Sequence, residues 1–220
     1  RHLEKTLACE AQNIQLIHIT DREWHSQNGQ IVNLLSSKLN LNQTIGARKC
    51  SLSEIKNNQA NSLLNQWHLQ KSTPAHRSFA LIYQNEPVMV ITIGRSRFNT
   101  VYKYELLRMA SKPGINVTGG LSKLMKYIRN QLGDSIISYC DRSKSNGAGY
   151  LAGGFELISS TGPGYFWTNG TDQISRYQSQ KKNLAKFLAN YCEQQSESQN
   201  MIANRWRRYW DCGHWIFVYR

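Results

Sequence analysis

The run Ser138-Tyr139-Cys140-Asp141-Arg142, followed by Gly147-Ala148-Gly149-Tyr150 and Gly153-Gly154-Phe155, constrains this chain more than any other stretch. Residues Ser135 to Tyr139 read as a buried strand. Asp141 stands where that strand runs out, and a glycine-rich turn then leads into a short helix that ends in glycine. The carboxyl end of a core strand, facing a flexible turn, is where open α/β sheets place their chemistry. Asp141 is therefore the first candidate catalytic group.

The charge pattern points to the kind of partner. The chain carries 27 Lys and Arg against 14 Asp and Glu in 220 residues, a formal net charge of +13. Residues 1–46 hold four basic and four acidic side chains, residues 95–150 ten and three, and residues 170–220 eight and four. A clustered excess of this kind suits a polyanion such as DNA, because each neutralised phosphate releases counterions. An ordinary basic, soluble surface is the bland alternative. The apolar fraction of 40%, with six Trp and eleven Tyr, supports a real core. No run of about 18 apolar residues occurs, so no membrane span is expected. The chain opens on Arg1 with no signal-peptide pattern and reads as a fragment whose natural start lies upstream. Cys9, Cys50, Cys140, Cys192 and Cys212 form no CxxC pair, which points to reduced thiols, a cytoplasmic setting and no zinc ribbon.

The order of elements defines a mixed α/β chain in two parts. In the first, residues 1–46, His2 to Gln12 reads as a helix with Leu3 and Leu7 on one face, and Ile14 to Ile19 as a strand. Asp21 caps a turn containing Trp24, and a second helix runs from Ile31 to Leu39 with Ile31, Leu34, Leu35 and Leu39 inward. Asn40 to Gly46 is the expected boundary. In the second part, residues 47–220, Ala47 to Leu52 reads as a strand and Ser53 as the start of a helix to Trp67. Ser78 to Tyr83 and Val88 to Gly94 pair across the turn Gln84-Asn85-Glu86-Pro87. Tyr104 to Ala110 is a further strand, and Thr118-Gly119-Gly120 opens a helix whose Leu121, Leu124, Met125 and Ile128 share a buried face. After the Ser135–Tyr139 strand and the glycine-rich helix come strands at Phe155 to Ser159 and Tyr165 to Thr168, a helix at Lys181 to Tyr191, and a final strand at Trp215 to Tyr219.

Several side chains carry candidate chemistry. Gly119 and Gly120 leave backbone N–H groups free at a helix start, where the dipole favours an anion, and Ser122 and Lys123 add a hydroxyl and a positive charge. The alternative is that two glycines merely turn the chain. Asp141 suits a general base or an orienting group, or else caps the following turn; a pair with Arg142 would lower its pKa. Tyr150 is a candidate proton donor or stacking ring. Glu105, amid apolar neighbours, needs a partner, and Arg108 or Arg142 is the expected one. His68 is more readily a capping residue than a catalyst. In the tail, Arg205, Arg207 and Arg208 suit phosphate contacts, while Trp206 and Trp210, four residues apart, are expected to share a buried helical face. With Arg142, Lys144, Lys181 and Lys182 these arginines form the candidate nucleic-acid surface. Asp211-Cys212-Gly213-His214 holds potential ligands but has no second cluster at zinc spacing, so no metal site is expected.

Four resemblances follow from these motifs. "ARKC" at 47–50, "HLQ" at 68–70, "YELLRMA" at 104–110, "GGLSKL" at 119–124, "SYCDRS" at 138–143, "GYLAGGF" at 149–155, "PGYFW" at 163–167 and "DCG" at 211–213 resemble the domain that follows a nuclease in phage homing-endonuclease-like proteins. "HLEKT" at 2–6, "LIHI" at 16–19 and "EW" at 23–24 resemble the tail of a very-short-patch-repair-like nuclease, whose acidic residues are missing here, so the nuclease site is incomplete. These two imply a phage or mobile-element protein, DNA as partner, a nuclease segment upstream, and an infected bacterial cell as its setting. The hairpin, strand, glycine turn, helix, strand, helix, strand order is similar to the GNAT acyltransferase fold, which implies acyl-CoA held at Gly119, Gly120, Leu121, Ser122 and Lys123. The usual basic or Gln residue followed by GxG or GxA is not cleanly present. More distantly, Ser138, Tyr139, Asp141, a glycine and Tyr150 resemble Mom-type DNA-modification enzymes, which adds Ser138 to the candidate catalytic set of Asp141, Tyr150 and Glu105. Three functions stay open: a DNA-directed acyltransferase, a non-catalytic DNA-binding module of a nuclease, and a basic structural protein that holds nucleic acid.

Overall fold

The computed structural model describes residues 2–220. In chain order the elements are α1 His2–Glu10, α2 Asp21–Ser26, α3 Asn28–Lys38, β1 Gln43–Gly46, a 3-10 turn Ala47–Lys49, β2 Ser51–Ile55, α4 Asn57–Trp67, β3 Arg77–Tyr83, β4 Glu86–Arg95, β5 Tyr104–Ser111 and β6 Ile115–Thr118. They continue with α5 Gly120–Leu132, β7 Ile136–Asp141, α6 Ala148–Ala152, β8 Glu156–Ser160, β9 Tyr165–Thr168, β10 Gln173–Ser175, α7 Lys181–Leu184, α8 Glu197–Ala203, β11 Arg207–Trp210 and β12 His214–Tyr219. They gather into two compact units. One holds Ile19–Cys140, Ser145–Ser160 and Trp215–Arg220; the other holds the chain up to His18, Asp141–Lys144 and Thr161–His214.

The larger unit is built on a seven-stranded mixed sheet in the order β2-β3-β4-β5-β7-β12-β8. β2 to β5 are antiparallel neighbours. The β3–β4 turn places Gln84 and Asn85 at φ of 50° and 65°, the twist a two-residue hairpin requires. β5 then pairs with β7 in parallel, with α5 in the connection between them, and β12 and β8 form an antiparallel pair at the far edge. Alternation along the strands sorts side chains to two faces. Phe79, Leu81, Met89, Ile91 and Ile93 pack with Leu121, Leu124, Met125 and Ile128 of α5. On the other face Val90 and Ala110 meet Ala60, Leu64 and Trp67 of α4. Each fully buried aliphatic side chain here contributes about 1.5–3 kcal/mol of burial. Gly120 belongs to this packing: a Cβ there would stand 2.6 Å from Met89 Sδ and 3.1 Å from Val117 Cγ1.

The smaller unit centres on the sheet β10-β9-β11, whose Trp167 packs with Leu184, Leu188 and Met201. The Glu197 carboxylate, in the first turn of α8, accepts from Trp167 Nε1 (3.0 Å), Tyr165 Oη (3.3 Å) and Ser179 Oγ (3.2 Å). Three polar groups of a small core are satisfied by one acceptor, which is what burying them requires.

The mixed α/β expectation and the order of the sheet elements hold, and several local expectations do not. Residues 14–19 form no strand: Ile14 is 53% exposed, and Gln15 and His18 bond instead to Lys144 O and Ser143 O. Ala47–Lys49 is a 3-10 turn, and Ser53 lies inside β2, so α4 starts at Asn57. Thr20, not Asp21, caps α2, in a reciprocal pair with Glu23. Within α1 the buried residue is Thr6 while Leu7 is exposed, and beyond α3 Leu39 faces solvent. The helix expected over 181–191 is only Lys181–Leu184. Residues Arg207–Trp210 form a strand, so Trp206 and Trp210 share no helical face: Trp206 packs on the small core and Trp210 is exposed. Asn40–Gly46 does not separate compact units, because β1 pairs in parallel with β6 and the larger unit begins at Ile19.

Candidate active site

The sheet comes apart at one point. β5 and β7 pair only over Tyr104–Leu106 and Ile136–Ser138, although β5 runs on to Ser111 and β7 to Asp141. The cause lies in β5. Thr92 of β4 faces Arg108 while its neighbour Ile93 faces Leu106, so Leu107 is an extra residue, a β-bulge. A bulge bends its strand, and this one falls immediately after the last residue that β5 shares with β7. Gly94 makes room for it: a Cβ there would lie 2.6 Å from Leu107 Cδ1. Past the bulge the two strands have edges that do not pair with each other.

Ser138 and Tyr150 sit at the fork. Ser138 is buried, and its Oγ lies 3.2 Å from both Leu106 O and Tyr150 Oη. One hydroxyl hydrogen serves one acceptor at a time, so when Ser138 donates to Leu106 O the Tyr150 hydroxyl is the donor to Ser138. Tyr150 is placed by α6, which starts at Gly147, a residue at φ 80°. Its ring stacks on Phe217 at 4.9 Å and meets Phe155 edge-on at 5.3 Å. Burial pushes its pKa up to about 12, with the nearby Cys140 thiol adding to the shift. The phenol thus keeps its proton throughout the physiological range and can donate it.

On the α4 face of the fork, Glu105 is almost fully buried, and its partner is Arg97. Arg97 Nη2 donates to Oε1 (2.6 Å) and the Arg97 backbone N–H to Oε2 (3.0 Å). The expected partners, Arg108 and Arg142, are engaged elsewhere: Arg108 turns to backbone carbonyls, and Arg142 pairs with Glu10 in the smaller unit. A carboxylate held by three nitrogen donors of one residue is a structural anchor for the Arg97 loop. Arg108 Nε donates to Lys71 O (3.0 Å) and Nη1 to Leu107 O (2.7 Å), tying the bulge to the segment after α4. Burial, and then the charge of Arg97, lower the pKa of Arg108. His68 Nδ1 accepts the Gln70 N–H (3.0 Å), and burial, then Arg108, depress its pKa to about 4. His68 is therefore neutral, with its proton on Nε2.

The glycine pair at the α5 start is less open than its sequence implies. Gly119 takes φ 74°, a conformation that suits glycine, and precedes a helix of 13 residues. Ser122 Oγ donates to Ala152 O (3.2 Å), and Lys123 Nζ donates to Ala47 O (3.0 Å) and Cys50 O (2.6 Å). Leu121 is buried against Gly153. These side chains are spent within the fold, and what the segment offers an anion is the backbone N–H groups of the first turn.

Asp141, the last residue of β7, is assigned to the smaller unit, whereas Ser138, Tyr150 and Glu105 belong to the larger one. Its Oδ1 accepts the Ser143 N–H (2.8 Å) and closes the turn after β7. Arg142 is 6% exposed with Nη2 2.8 Å from Glu10 Oε2, and the Lys144 ammonium donates to His18 O. Both are committed inside the unit rather than displayed. Lys181, Lys182, Arg205, Arg207 and Arg208 are exposed, although the Arg208 guanidinium lies 4.5 Å from the Tyr165 ring and 4.7 Å from the Trp167 ring. Among the described residues no group of three or more His, Cys, Asp or Glu side chains is placed to hold a metal ion, and no helix is long and apolar enough to cross a membrane.

The sequence carried no signal for Arg97, whose role arises from the loop between β4 and β5, nor for Leu107, whose bulge appears only once β4 and β5 are in register. No family model matches the chain, and no curated protein matches it. Among solved structures it is similar to a Bacillus subtilis acetyltransferase in complex with CoA, at 14% identity and TM-score 0.42 over 78% of this chain and 97% of that one. It is also similar to aminoglycoside 6'-acetyltransferase type Ii, at 11% identity and TM-score 0.41 over 76% and 95%. The chain's own sheet is a mixed α/β one, in the order β2-β3-β4-β5-β7-β12-β8 with a fork between β5 and β7.

Proposed function

We propose that the larger unit is an acyltransferase that uses acyl-CoA as donor. The observation that carries this reading is the fork at Leu106 and Ser138 with the Tyr150 hydroxyl at its apex. When bound, acyl-CoA supplies an acyl group activated as a thioester. The chain's own groups fit it. The first-turn N–H groups of α5 suit phosphate oxygens. The strand edges past the bulge suit an extended, amide-bearing arm, because they present the N–H and C=O pattern that an added strand would pair with. Tyr150 holds its proton on Oη, with Ser138 fixing that atom, and so stands ready to protonate a departing thiolate. Glu105 supports the site by anchoring Arg97 and does not act as base. Ser138 positions Tyr150.

The test is mass spectrometry of ligand that co-purifies with the folded chain, followed by calorimetric titration with acetyl-CoA. A bound CoA species, and saturable binding that Tyr150→Phe leaves intact while transfer falls, support the reading. Absence of both binding and transfer rejects it.

A second reading concerns the smaller unit alone. Lys181, Lys182, Arg205 and Arg207 are exposed there, which favours a polyanion such as DNA as partner. Replacing all four with Ala should flatten the salt dependence of DNA binding, and an unchanged slope would remove them from the interface.

A further inference from the structure

We propose that Arg108 selects the acyl acceptor by binding a carboxylate that the acceptor carries beside its amine; this rests on the acyltransferase reading above and names its substrate class. Arg108 is the first residue after the bulge, on the strand whose bending opens the fork. Two of its donors fix its direction: Nε to Lys71 O and Nη1 to Leu107 O. A guanidinium has five N–H groups, so three remain, and no carboxylate among the described residues lies within ion-pair distance of it. The one buried carboxylate on the same strand, Glu105, is consumed by Arg97. His68 adds a further donor, since Nδ1 accepts from Gln70 and leaves Nε2–H unspent. The α4 face of the fork therefore presents donors and a positive charge with no acceptor to match.

Burial makes that mismatch informative. Arg108 is half-buried, and a partly desolvated cation is costly unless it is paired; burial and then the charge of Arg97 lower its pKa, and the charge of Glu105 offsets this in part. Arg108 also acts electrostatically on Tyr150, the group at the apex of the fork. The planar fork of a guanidinium matches a carboxylate through two parallel N–H···O bonds. An acceptor held by its carboxylate at Arg108 would have its amine directed toward the fork. The two backbone bonds alone would explain a structural bracket, but not three surplus donors beside a neutral histidine.

The experiment pairs amines that differ only in charge. Glycine, L-alanine, L-methionine and L-glutamate are compared with their amides as acceptors for acetyl-CoA, with free CoA read by chromatography. The acids should exceed the amides by on the order of 10- to 100-fold in kcat/KM, the range expected for a charge-assisted hydrogen bond. Arg108→Gln should erase that ratio, and Arg108→Lys should restore it in part, with acetyl-CoA affinity unchanged in both. An independent readout needs no cofactor: the acids, and not the amides, should move the ring resonance of His68, assigned against His68→Gln, and should cease to do so in Arg108→Gln. Melting temperatures identify a variant that has merely unfolded, in which case the wild-type pairs alone decide. Amides that turn over as fast as acids, or a His68 resonance that no acid moves, overturn the proposal. Failure of acetyl-CoA to bind while the acids still move His68 would reject the acyltransferase reading and leave the anion site standing.

Discussion

Gly147→Ala should damage the fold and the site together, by an amount the structure allows to be worked out. Gly147 sits at φ 80° and starts α6, the helix that carries Tyr150. A side chain in the left-handed region costs about 1–2 kcal/mol. The added Cβ would stand 2.5 Å from Phe217 Cζ and 2.9 Å from Cε2. Phe217 is 1% exposed and stacked on Tyr150, so its ring cannot step aside. Overpacking of this kind costs about 1–3 kcal/mol. The sum is about 2–5 kcal/mol, which for a chain of this length lowers the melting temperature by about 4–20 °C. Phe217→Leu removes the ring that the new methyl meets, so the double variant should lose about 1–3 kcal/mol less than the sum of the two singles. Circular dichroism melts of the four proteins measure this. A loss below about 1 kcal/mol, or strict additivity with Phe217→Leu, would refute the claim that the Phe217 ring leaves no room for a side chain at Gly147.

Tyr150→Phe should lower transfer by about 10²- to 10⁴-fold while leaving acyl-CoA affinity within a few-fold of wild type, as kinetics and calorimetry would show. Its pKa of about 12 in the fold stands above the ordinary tyrosine value of 10, so the stability it lends is fully present below pH 10 and is lost as pH rises from 10 to 12. Urea titrations across that window should show roughly 2–3 kcal/mol of pH-dependent loss in wild type that is absent from Tyr150→Phe. Lys123→Met should cost about 1–3 kcal/mol through the uncapped Ala47 and Cys50 carbonyls, with little change in acyl-CoA affinity; a large affinity loss at unchanged stability would return Lys123 to the phosphate site. Glu105→Gln should destabilise the chain by about 2–4 kcal/mol, since Arg97 is part exposed and can turn to water, and a stable but inactive Glu105→Gln would show that the carboxylate is a base after all.

The parts of this molecule that the sequence displayed are those fixed by local rules. Residues 121, 124, 125 and 128 have a spacing that only a one-faced helix satisfies, and all four are buried in α5. Gln84-Asn85 is turn chemistry, and both residues adopt the turn. The strand at Ser135–Tyr139 and the glycine-led helix after it are where their composition places them. What the sequence concealed depends on register between distant segments. Leu107 becomes a bulge only against Thr92 and Ile93. Lys123 looks like a phosphate ligand until the 3-10 turn at Ala47–Lys49 brings two carbonyls to it. Trp206 and Trp210 have helical spacing, but Arg207–Trp210 forms a strand because β9 offers an edge. Asp141, the most conspicuous residue of the opening motif, caps a turn, while Tyr150 from the same motif reaches the fork.

Hydrogen–deuterium exchange on addition of acetyl-CoA tests the central claim most directly, because it reports on the backbone groups that the fork leaves open. Slower exchange is predicted at residues 107–111 and 139–140, on the two diverging strands, and at 120–122, in the first turn of α5. Exchange unchanged at these three places, or slowed only elsewhere in the chain, would contradict it.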